Sequence, residues 1–209
     1  MKSASSYRLQ FSSAYRRLSL LIIGCFSRLY HYAAEKFWRM PKNYSLGRNR
    51  YLSVKKLDGD VHVTICEEGS DVKTITFPSR RWAQFVEVMS QVDEAVNKLI
   101  AKQNVQRSLH VGGKCYVSVT TGFACVDIRQ FYYNYTMKTP CPIKKGIALR
   151  IPEWNALKEI IQQLHQKHPA LSAARPCTYQ LDHQNFEGAL SCIECHPFQY
   201  DQLFHSIAA

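Results

Sequence analysis

The sequence of 209 residues lacks a long hydrophobic run. Its N-terminal apolar stretch, Leu20 to Phe26, has seven residues, whereas a helix that spans a bilayer needs about 20. A convincing secretory signal is also missing, and the eight cysteines follow no regular disulfide spacing. We therefore expect an intracellular chain with reduced thiols and no membrane partner.

The motifs of common enzyme classes are missing as well. The sequence has no glycine-rich phosphate loop, no His-Glu zinc motif and no nucleophile signature. Its histidines at 62, 110, 165 and 168 are isolated, and isolated histidines are more often surface or packed residues than catalytic ones. We predict a protein that is not an enzyme and has no catalytic residues.

Acidic residues are nearly absent from the beginning of the chain. Residues 1–56 contain 12 Lys/Arg and one acid, Glu35. Residues 57–103 then hold 5 bases and 8 acids, whereas residues 113–168 hold 8 bases and 3 acids. A basic face recruits phosphate by releasing counterions, so residues 113–168, helped by the arm, form the better predicted nucleic-acid surface. A solvated basic surface without a ligand is the alternative.

The chain contains an internal repeat. The run 50–54 (RYLSV) is followed 31 residues after its tyrosine by Trp82, and the run 115–119 (CYVSV) is followed 38 residues after its tyrosine by Trp154. Two further β-like runs lie between the anchors of each copy, and a helix opens at a proline just before each tryptophan. The repetition predicts an architecture of two similar units.

Each copy is predicted to hold three strands and one amphipathic helix. In the first copy, Asp58-Gly59 favours a tight hairpin, and Ser79 is a plausible N-cap for the helix. The predicted strands are 49–56, 61–66 and 72–77 before a helix from 79 to about 103, then 114–120, 125–135 and 143–149 before a helix from 152 to about 166.

These elements predict five segments: a basic N-terminal arm (1–46), a first repeat (47–103), a linker (104–112), a second repeat (113–168) and a C-terminal extension (169–209). We expect the arm to be disordered or a targeting segment. Its composition is compatible with a mitochondrial transit peptide, with a basic tail that docks on nucleic acid, and with a spurious extension upstream of Met40.

The C-terminal extension carries cysteines and histidines in an ambiguous pattern, at Cys177, Cys192 and Cys195 and at His183, His196 and His205. A structural zinc site needs four ligands, and only one Cys-x-x-Cys pair is present, with no second pair at finger spacing. A packed or frayed tail is the favoured interpretation, ahead of a zinc site and of covalent haem, so no metal and no cofactor are predicted.

The repeat resembles the positive cofactor 4 family of single-stranded-DNA-binding transcriptional coactivators. The resemblance is carried in the first copy by residues 47–54 (GRNRYLSV) and 90–99 (SQVDEAVNKL), and in the second by 114–119 (KCYVSV), 126–129 (VDIR) and 144–149 (KKGIAL) up to Trp154. Two tandem copies of the family's C-terminal domain would cover about residues 47–168.

The resemblance implies an α+β fold in which tandem units of curved antiparallel sheet, each followed by a helix, pair as an intramolecular pseudo-dimer. It also implies that single strands cross the outer sheet face, held by Lys/Arg and by stacked aromatics. The implied partners are single-stranded DNA or unwound duplex and proteins of the transcription machinery. Pairing of the repeats within one chain is favoured, although further oligomerisation is possible. The expected compartment is the nucleus, with the mitochondrion as alternative.

The predicted ligand contacts lie mainly in the second copy. In an extended strand Arg129, Phe131 and Tyr133 point to one face, and Tyr132 reaches it only if a bulge or a strand end lies near Gln130. Packing of these aromatics against the other copy or the tail is the alternative. The complete predicted set is Arg129, Phe131, Tyr132, Tyr133, Lys144, Lys145, Lys114, Lys73, Arg48, Arg50, Lys55 and Lys56.

The first copy departs from the family pattern. Leu57 stands where the family has an aromatic, and Cys66 stands where it has the arginine of the second strand. In the second copy the first hairpin is shorter, and Phe123 is a weak substitute for the stacking aromatic. The second copy is therefore the predicted binding half. A protein-interaction or structural module of the same fold, with much of its nucleic-acid binding lost, is the alternative.

Overall fold

The computed structural model describes residues 43–183 and 186–198. These residues belong to one compact unit, which runs from Lys42 to the C-terminus. The predictions for the arm lie outside the described residues, except for its last few positions. Among the described helices, none combines the length and the apolarity that crossing a membrane requires.

The first unit is a four-stranded antiparallel sheet followed by a long helix. The strands are β1 (Tyr44–Gly47), β2 (Arg50–Leu57), β3 (Asp60–Glu67) and β4 (Thr74–Pro78), in that order across the sheet, and the helix is α1 (Ser79–Ile100). Asp58 and Gly59 have positive φ angles of 49° and 85°, which suits the tight β2–β3 turn predicted from their sequence.

The second unit repeats this plan. Its strands are β5 (Gln106–His110), β6 (Cys115–Thr120), β7 (Cys125–Asn134) and β8 (Thr139–Arg150), again in chain order, and its helix is α2 (Ile151–Lys167). The predicted α+β fold with two tandem units is therefore confirmed.

Each sheet has one more strand than the sequence analysis predicted. β1 ends at Gly47, the predicted start of the first repeat, and otherwise lies in the segment predicted as the arm, while β5 lies in the segment predicted as a linker. Both are short edge strands. β1 pairs antiparallel with β2, and β5 pairs antiparallel with β6, the strands that contain the repeated runs 50–54 and 115–119. These strands are too short for a clear alternation of polar and apolar residues, so their sequences alone do not predict them. They form because the neighbouring strand offers hydrogen-bond partners.

The start of α1 also differs from the prediction. Pro78 is the N-cap and Ser79 is the first helical residue. The backbone N–H of Ser79 donates to Asp60 Oδ2 at 3.3 Å, so a carboxylate from the β2–β3 hairpin occupies the position in which a capping side chain was expected.

The two units share one hydrophobic core. Buried side chains recur along α1 at three- and four-residue spacing, including Trp82, Phe85 and Met89. They form a single cluster with buried residues of both sheets and of α2. Helix α1 contacts β5 and β6 of the second sheet, and α2 contacts β1 of the first. Each helix therefore helps to bury the sheet of the other unit.

The tryptophans of the repeat make equivalent bonds across the two units. Trp154 Nε1 donates to Asp93 Oδ1 at 2.8 Å, and Trp82 Nε1 donates to His165 Nε2 at 3.1 Å. Asp93 and His165 each follow the tryptophan of their own helix by eleven residues. Burial lowers the pKa of His165, which favours the neutral ring that can accept this bond.

The C-terminal extension folds against the two units. It contains the short helices α3 (Pro169–Ala173) and α4 (Phe186–Ser191), with turns of 3-10 helix at Cys177–Tyr179 and Leu181–His183. Arg81 at the start of α1 forms an ion pair with Glu194 at 2.6 Å, and the Gly113 N–H donates to the Glu194 carbonyl at 2.8 Å. The extension is thus a packed segment over its described residues.

Candidate nucleic-acid interface

The second sheet has one face toward the core and one face away from it. Along β7, Val126 and Ile128 are buried, whereas Asp127 and Arg129 alternate with them and are half-buried on the outer face. Asp127 pairs with Ser118 of β6 and with Ala148 of β8, so one row of small and polar side chains crosses the outer face.

A bulge in β8 presents the two predicted lysines. Arg129 pairs with Gly146 and Phe131 pairs with Pro142, so the three residues 143–145 lie opposite the single residue Gln130. Lys144 and Lys145, both exposed, lie in this bulge. The irregularity near Gln130 that the sequence analysis required is present, but the additional residues belong to β8 and not to β7.

Tyr132 consequently keeps its alternating position. Because β7 is continuous through Gln130, Tyr132 lies on the face opposite Phe131 and Tyr133. Its side chain is not buried in the core and is 46% exposed.

Arg129 is already engaged within its own strand. Its guanidinium makes an ion pair with Asp127, in which Nη2 lies 2.7 Å from Oδ1. This hydrogen bond raises the pKa of Arg129 above its ordinary value. The side chain remains 30% exposed, so a ligand phosphate would share it with the Asp127 carboxylate.

Gly146 makes this arrangement possible. A Cβ at position 146 would lie 2.2 Å from the Arg129 Cβ and 2.6 Å from the Ile128 carbonyl oxygen. Only a glycine allows β8 to approach β7 this closely at the arginine.

A shallow groove runs over the outer face beside Arg129. It has a volume of about 280 Å³ and is lined by Ser118, Thr120, Phe123, Cys125, Asp127, Arg129 and Ala148. Phe123 lies at the β6–β7 turn and is 67% exposed. The residue that the sequence analysis rated as a weak substitute is thus the aromatic that shares the groove with the arginine.

The C-terminal extension covers part of the predicted aromatic row. The Phe198 ring lies parallel to the Tyr116 ring, with centroids 6.5 Å apart. Its centroid is 6.0 Å from that of the Tyr133 ring, and Tyr133 is buried. The Phe131 ring packs on the Tyr116 ring, with centroids 4.8 Å apart. Lys114 is exposed and its Nζ lies 5.8 Å from the centroid of the Phe198 ring. Tyr133 therefore packs against the tail, as in the packing alternative, whereas Phe131 packs on Tyr116 of its own sheet.

Two predicted cations of the first repeat are held in ion pairs. Arg50, 16% exposed, lies 2.5 Å from Glu153 of α2 and 3.3 Å from Glu67, and it also donates to the Ala148 carbonyl. Lys73 lies 2.6 Å from Glu67. Arg50 therefore joins the two units and does not present its guanidinium to solvent.

The remaining cations of the first repeat are exposed, namely Arg48, Lys55 and Lys56. The outer face beside them is otherwise nearly neutral. Its central row pairs Ser53 with Thr64 and Thr64 with Thr76, and the two threonine hydroxyls are 3.0 Å apart. Cys66, which stands where the family has an arginine, is buried in this sheet.

The extension brings together four side chains that could hold a metal ion: Cys177, His183, Cys192 and Cys195. The single Cys-x-x-Cys pair of the sequence, without a second one, favoured a packed or frayed tail without a metal. The structure brings in the other two candidate ligands, Cys177 and His183, from the 3-10 turns.

A comparison with family models finds a domain of the family described as Transcriptional Coactivator p15 (PC4) at residues 113–160. This segment contains β6, β7, β8 and the first part of α2, and therefore the whole groove beside Arg129. No curated protein and no solved structure matches the chain. The family resemblance is thus supported for the second repeat, while the first repeat lies outside the match and has the same order of strands and helix.

Proposed function

We propose that this chain is a non-enzymatic, single-stranded nucleic-acid-binding protein with a transcriptional coactivator-like role. The observation that carries the proposal is the coincidence of the matched family segment, 113–160, with the sheet face that has the groove, Arg129 and the lysine bulge. Single-stranded DNA or unwound duplex is the ligand, and proteins of the transcription machinery are the partners that the family suggests.

The proposed contacts combine charge and stacking. Lys144 and Lys145 extend from the bulge, Arg129 lies in the groove, and Phe123 is exposed at its rim. Cations that follow the backbone together with one accessible ring are sufficient for binding that tolerates most sequences, because every base has a π-face. Lys114, exposed beside Phe198, is retained as a secondary contact, whereas Tyr132 lies on the opposite face of β7 and is left out.

The first repeat acts mainly as the supporting half of an intramolecular pseudo-dimer. Its neutral outer face offers little to phosphate, and Arg50 and Lys73 are occupied by carboxylates. We therefore leave Arg50, Lys73 and the covered Tyr133 out of the proposed interface, together with Phe131, whose ring packs on Tyr116. Arg48, Lys55 and Lys56 contribute general charge. A nuclear location follows from the coactivator-like role, and the mitochondrion is the alternative.

The proposal is tested by measuring the affinity of the full chain for single-stranded and duplex oligonucleotides over a series of salt concentrations. We expect tighter binding to the single strand, with an affinity that falls as salt rises. The double variant Lys144→Gln/Lys145→Gln should reduce the slope of log affinity against log salt by about 1.4, since each single-strand phosphate contact contributes about 0.7.

A matched control is Lys98→Gln/Lys102→Gln, which removes the same charge from the end of α1 and from the turn after it. This control should leave the slope close to that of the unmodified chain. Weak binding to both ligands, or binding indifferent to salt, contradicts the proposal. Survival of binding when Arg129, Lys144 and Lys145 are all reversed in charge favours the protein-interaction module.

A further inference from the structure

Four potential metal ligands converge within the C-terminal extension. Cys177 opens the first 3-10 turn, His183 ends the second, Cys192 directly follows α4, and Cys195 lies in the next turn. The Cys177 Sγ is 3.6 Å from His183 Nε2 and 3.7 Å from Cys192 Sγ. All four ligand atoms, including Cys195 Sγ, lie within 4.8 Å of one another.

These separations match a tetrahedral metal centre. A zinc–sulfur bond of about 2.3 Å places two thiolates of one tetrahedron about 3.8 Å apart. A disulfide, in contrast, requires a separation of about 2.05 Å, and the three cysteines are free thiols. The arrangement of three sulfurs and one nitrogen around a common centre is therefore that of a closed site with four protein ligands.

The donor set favours zinc over the hard cations. Thiolates and imidazole are soft to borderline ligands, whereas Mg²⁺ and Ca²⁺ are bound through oxygen. No oxygen ligand is needed to complete the four-coordinate set, which is the usual form of a structural zinc site.

The orientation of His183 supports the same conclusion. Its Nδ1 lies 2.8 Å from Asp182 Oδ1, so this nitrogen is engaged by a carboxylate while Nε2 points at Cys177. A carboxylate that fixes the ring and leaves the other nitrogen for the metal is the common arrangement around histidine ligands. The His183 side chain is only 5% exposed, whereas Asp182 is 73% exposed.

The extension has little apolar core that could hold these residues together. Among those of its residues whose burial is described, Leu171 and Phe198 are the buried ones, while Leu181 and Ile193 are 83% and 70% exposed. Short segments without a sufficient core usually require a disulfide or a metal to fold. A metal centre would supply this missing cross-link between residues 177 and 195.

The cluster is also connected to the rest of the molecule. Glu194, which lies between two of the ligands, pairs with Arg81 and accepts from the Gly113 N–H. Phe198 follows the last ligand by three residues and covers Tyr116 and Tyr133. Whatever fixes the cluster therefore fixes the extension on the second sheet.

We propose that Cys177, His183, Cys192 and Cys195 bind one Zn²⁺ ion as a structural site that folds the C-terminal extension and docks it on the second repeat. None of its ligands belongs to the groove or to the lysine bulge, so its metal content can be measured without reference to nucleic-acid binding.

The experiment is a measurement of metal content by inductively coupled plasma mass spectrometry on the full chain, purified under reducing conditions without affinity metals. We expect about one zinc ion per chain. Cys192→Ser and Cys195→Ser should lower the content at least tenfold. Cys125→Ser and Cys141→Ser, at two half-buried cysteines of the second sheet, are the matched controls and should retain the metal.

A second measurement uses the unmodified chain, so that it does not depend on how the variants fold. After removal of zinc by a chelator, added Co²⁺ should produce a thiolate-to-cobalt charge-transfer band together with the visible bands of tetrahedral cobalt, none of which the zinc form has. Chelation should also increase protease cleavage between residues 170 and 198 while the two repeats stay intact. Substoichiometric zinc in a folded, zinc-supplemented chain, or a disulfide between two of the cysteines in that sample, would overturn the proposal.

Discussion

Arg50 of the first unit and Glu153 of the second form a nearly buried ion pair, with Nη1 2.5 Å from Oε2. The same carboxylate accepts the backbone N–H of Arg150 at 2.8 Å, so it also stabilises the start of α2. The pair thus connects a strand of one sheet with the helix of the other unit. The charge of Arg50 predicts a place on the ligand surface, whereas in the structure its guanidinium lies between Glu153 and Glu67.

The substitution Arg50→Ala should destabilise the chain by about 3 kcal/mol or more, because it leaves the Glu153 carboxylate buried without its charged partner. Arg48→Ala removes the same charge at an exposed position of the β1–β2 turn and should change the free energy of unfolding by less than about 0.5 kcal/mol. Urea unfolding followed by tryptophan fluorescence compares the two. Equal effects of the two substitutions would contradict the connecting role of Arg50.

The carboxylate of Glu67 gives the first unit a defined sensitivity to acid. Hydrogen bonding from Lys73 lowers the pKa of Glu67 below its ordinary value, with a further contribution from Arg50, although its partial burial acts in the opposite direction. Because the folded-state pKa is below the unfolded one, the stabilisation is complete above about pH 4.3 and is lost as the pH falls through the folded-state pKa.

The variant Glu67→Gln cannot ionise at this position, so its free energy of unfolding should depend less on pH between neutral and acid conditions. Urea midpoints measured at several pH values test this expectation. Glu68→Gln, at the exposed neighbouring carboxylate, is the matched control and should keep the steeper pH dependence. An unchanged dependence in Glu67→Gln would show that other carboxylates dominate acid unfolding.

Much of the fold could be predicted from the sequence, because the repeated strands and helices have strong local patterns. Val61 to Glu67 and the stripe of Trp82, Phe85 and Met89 have the periods of a strand and of a helix, and the structure contains both. The short edge strands β1 and β5 were missed, since their hydrogen bonds come from a neighbouring strand and leave little trace in their own composition.

The candidate site was less predictable, because it depends on contacts between distant segments. Charge alone could not separate Lys145, which is exposed, from Arg50, which is paired with a residue more than a hundred positions away. The covering of Tyr133 by Phe198 likewise joins residues 65 positions apart. The sequence signal for the proposed zinc ligands was the pair Cys192-x-x-Cys195. Cys177 and His183 come close to this pair only in the folded chain.

Asp127 is expected to restrain the nucleic-acid affinity of the groove. Because it pairs with Arg129, the variant Asp127→Asn should free the guanidinium and remove one negative charge, so single-strand affinity should increase severalfold and the salt slope should steepen by about 0.7. Asp71→Asn makes the same charge change at an exposed position before β4 and should have a smaller effect. Fluorescence anisotropy measures both. Weaker binding by Asp127→Asn would mean that the aspartate positions Arg129 for the ligand.

Gly146 should not tolerate a side chain. In Gly146→Ala the new Cβ would collide with the Arg129 Cβ and with the backbone of β7, which cannot move aside as a flexible side chain can. We expect a loss of about 1–3 kcal/mol in the free energy of unfolding, the range found for overpacked sites. Gly122→Ala has open space around its Cβ and a positive φ of 95°, so it controls for backbone strain alone. An unchanged free energy of unfolding in Gly146→Ala would contradict the close approach.

Phe123 is the most accessible aromatic of the groove, and stacking of a base on it should contribute measurably to binding. Loss of one base–aromatic stack costs about 1–3 kcal/mol, so Phe123→Ala should weaken single-strand binding by roughly 5- to 150-fold with little change in the salt slope. Phe123→Trp should preserve binding, because it keeps a planar ring. Met137→Ala, at a similarly exposed apolar position of the β7–β8 turn, is the control. Since stacking is independent of phosphate charge, a loss of affinity without loss of slope would separate the role of Phe123 from that of Lys144 and Lys145. Binding unaffected by Phe123→Ala would assign the interaction to charge alone.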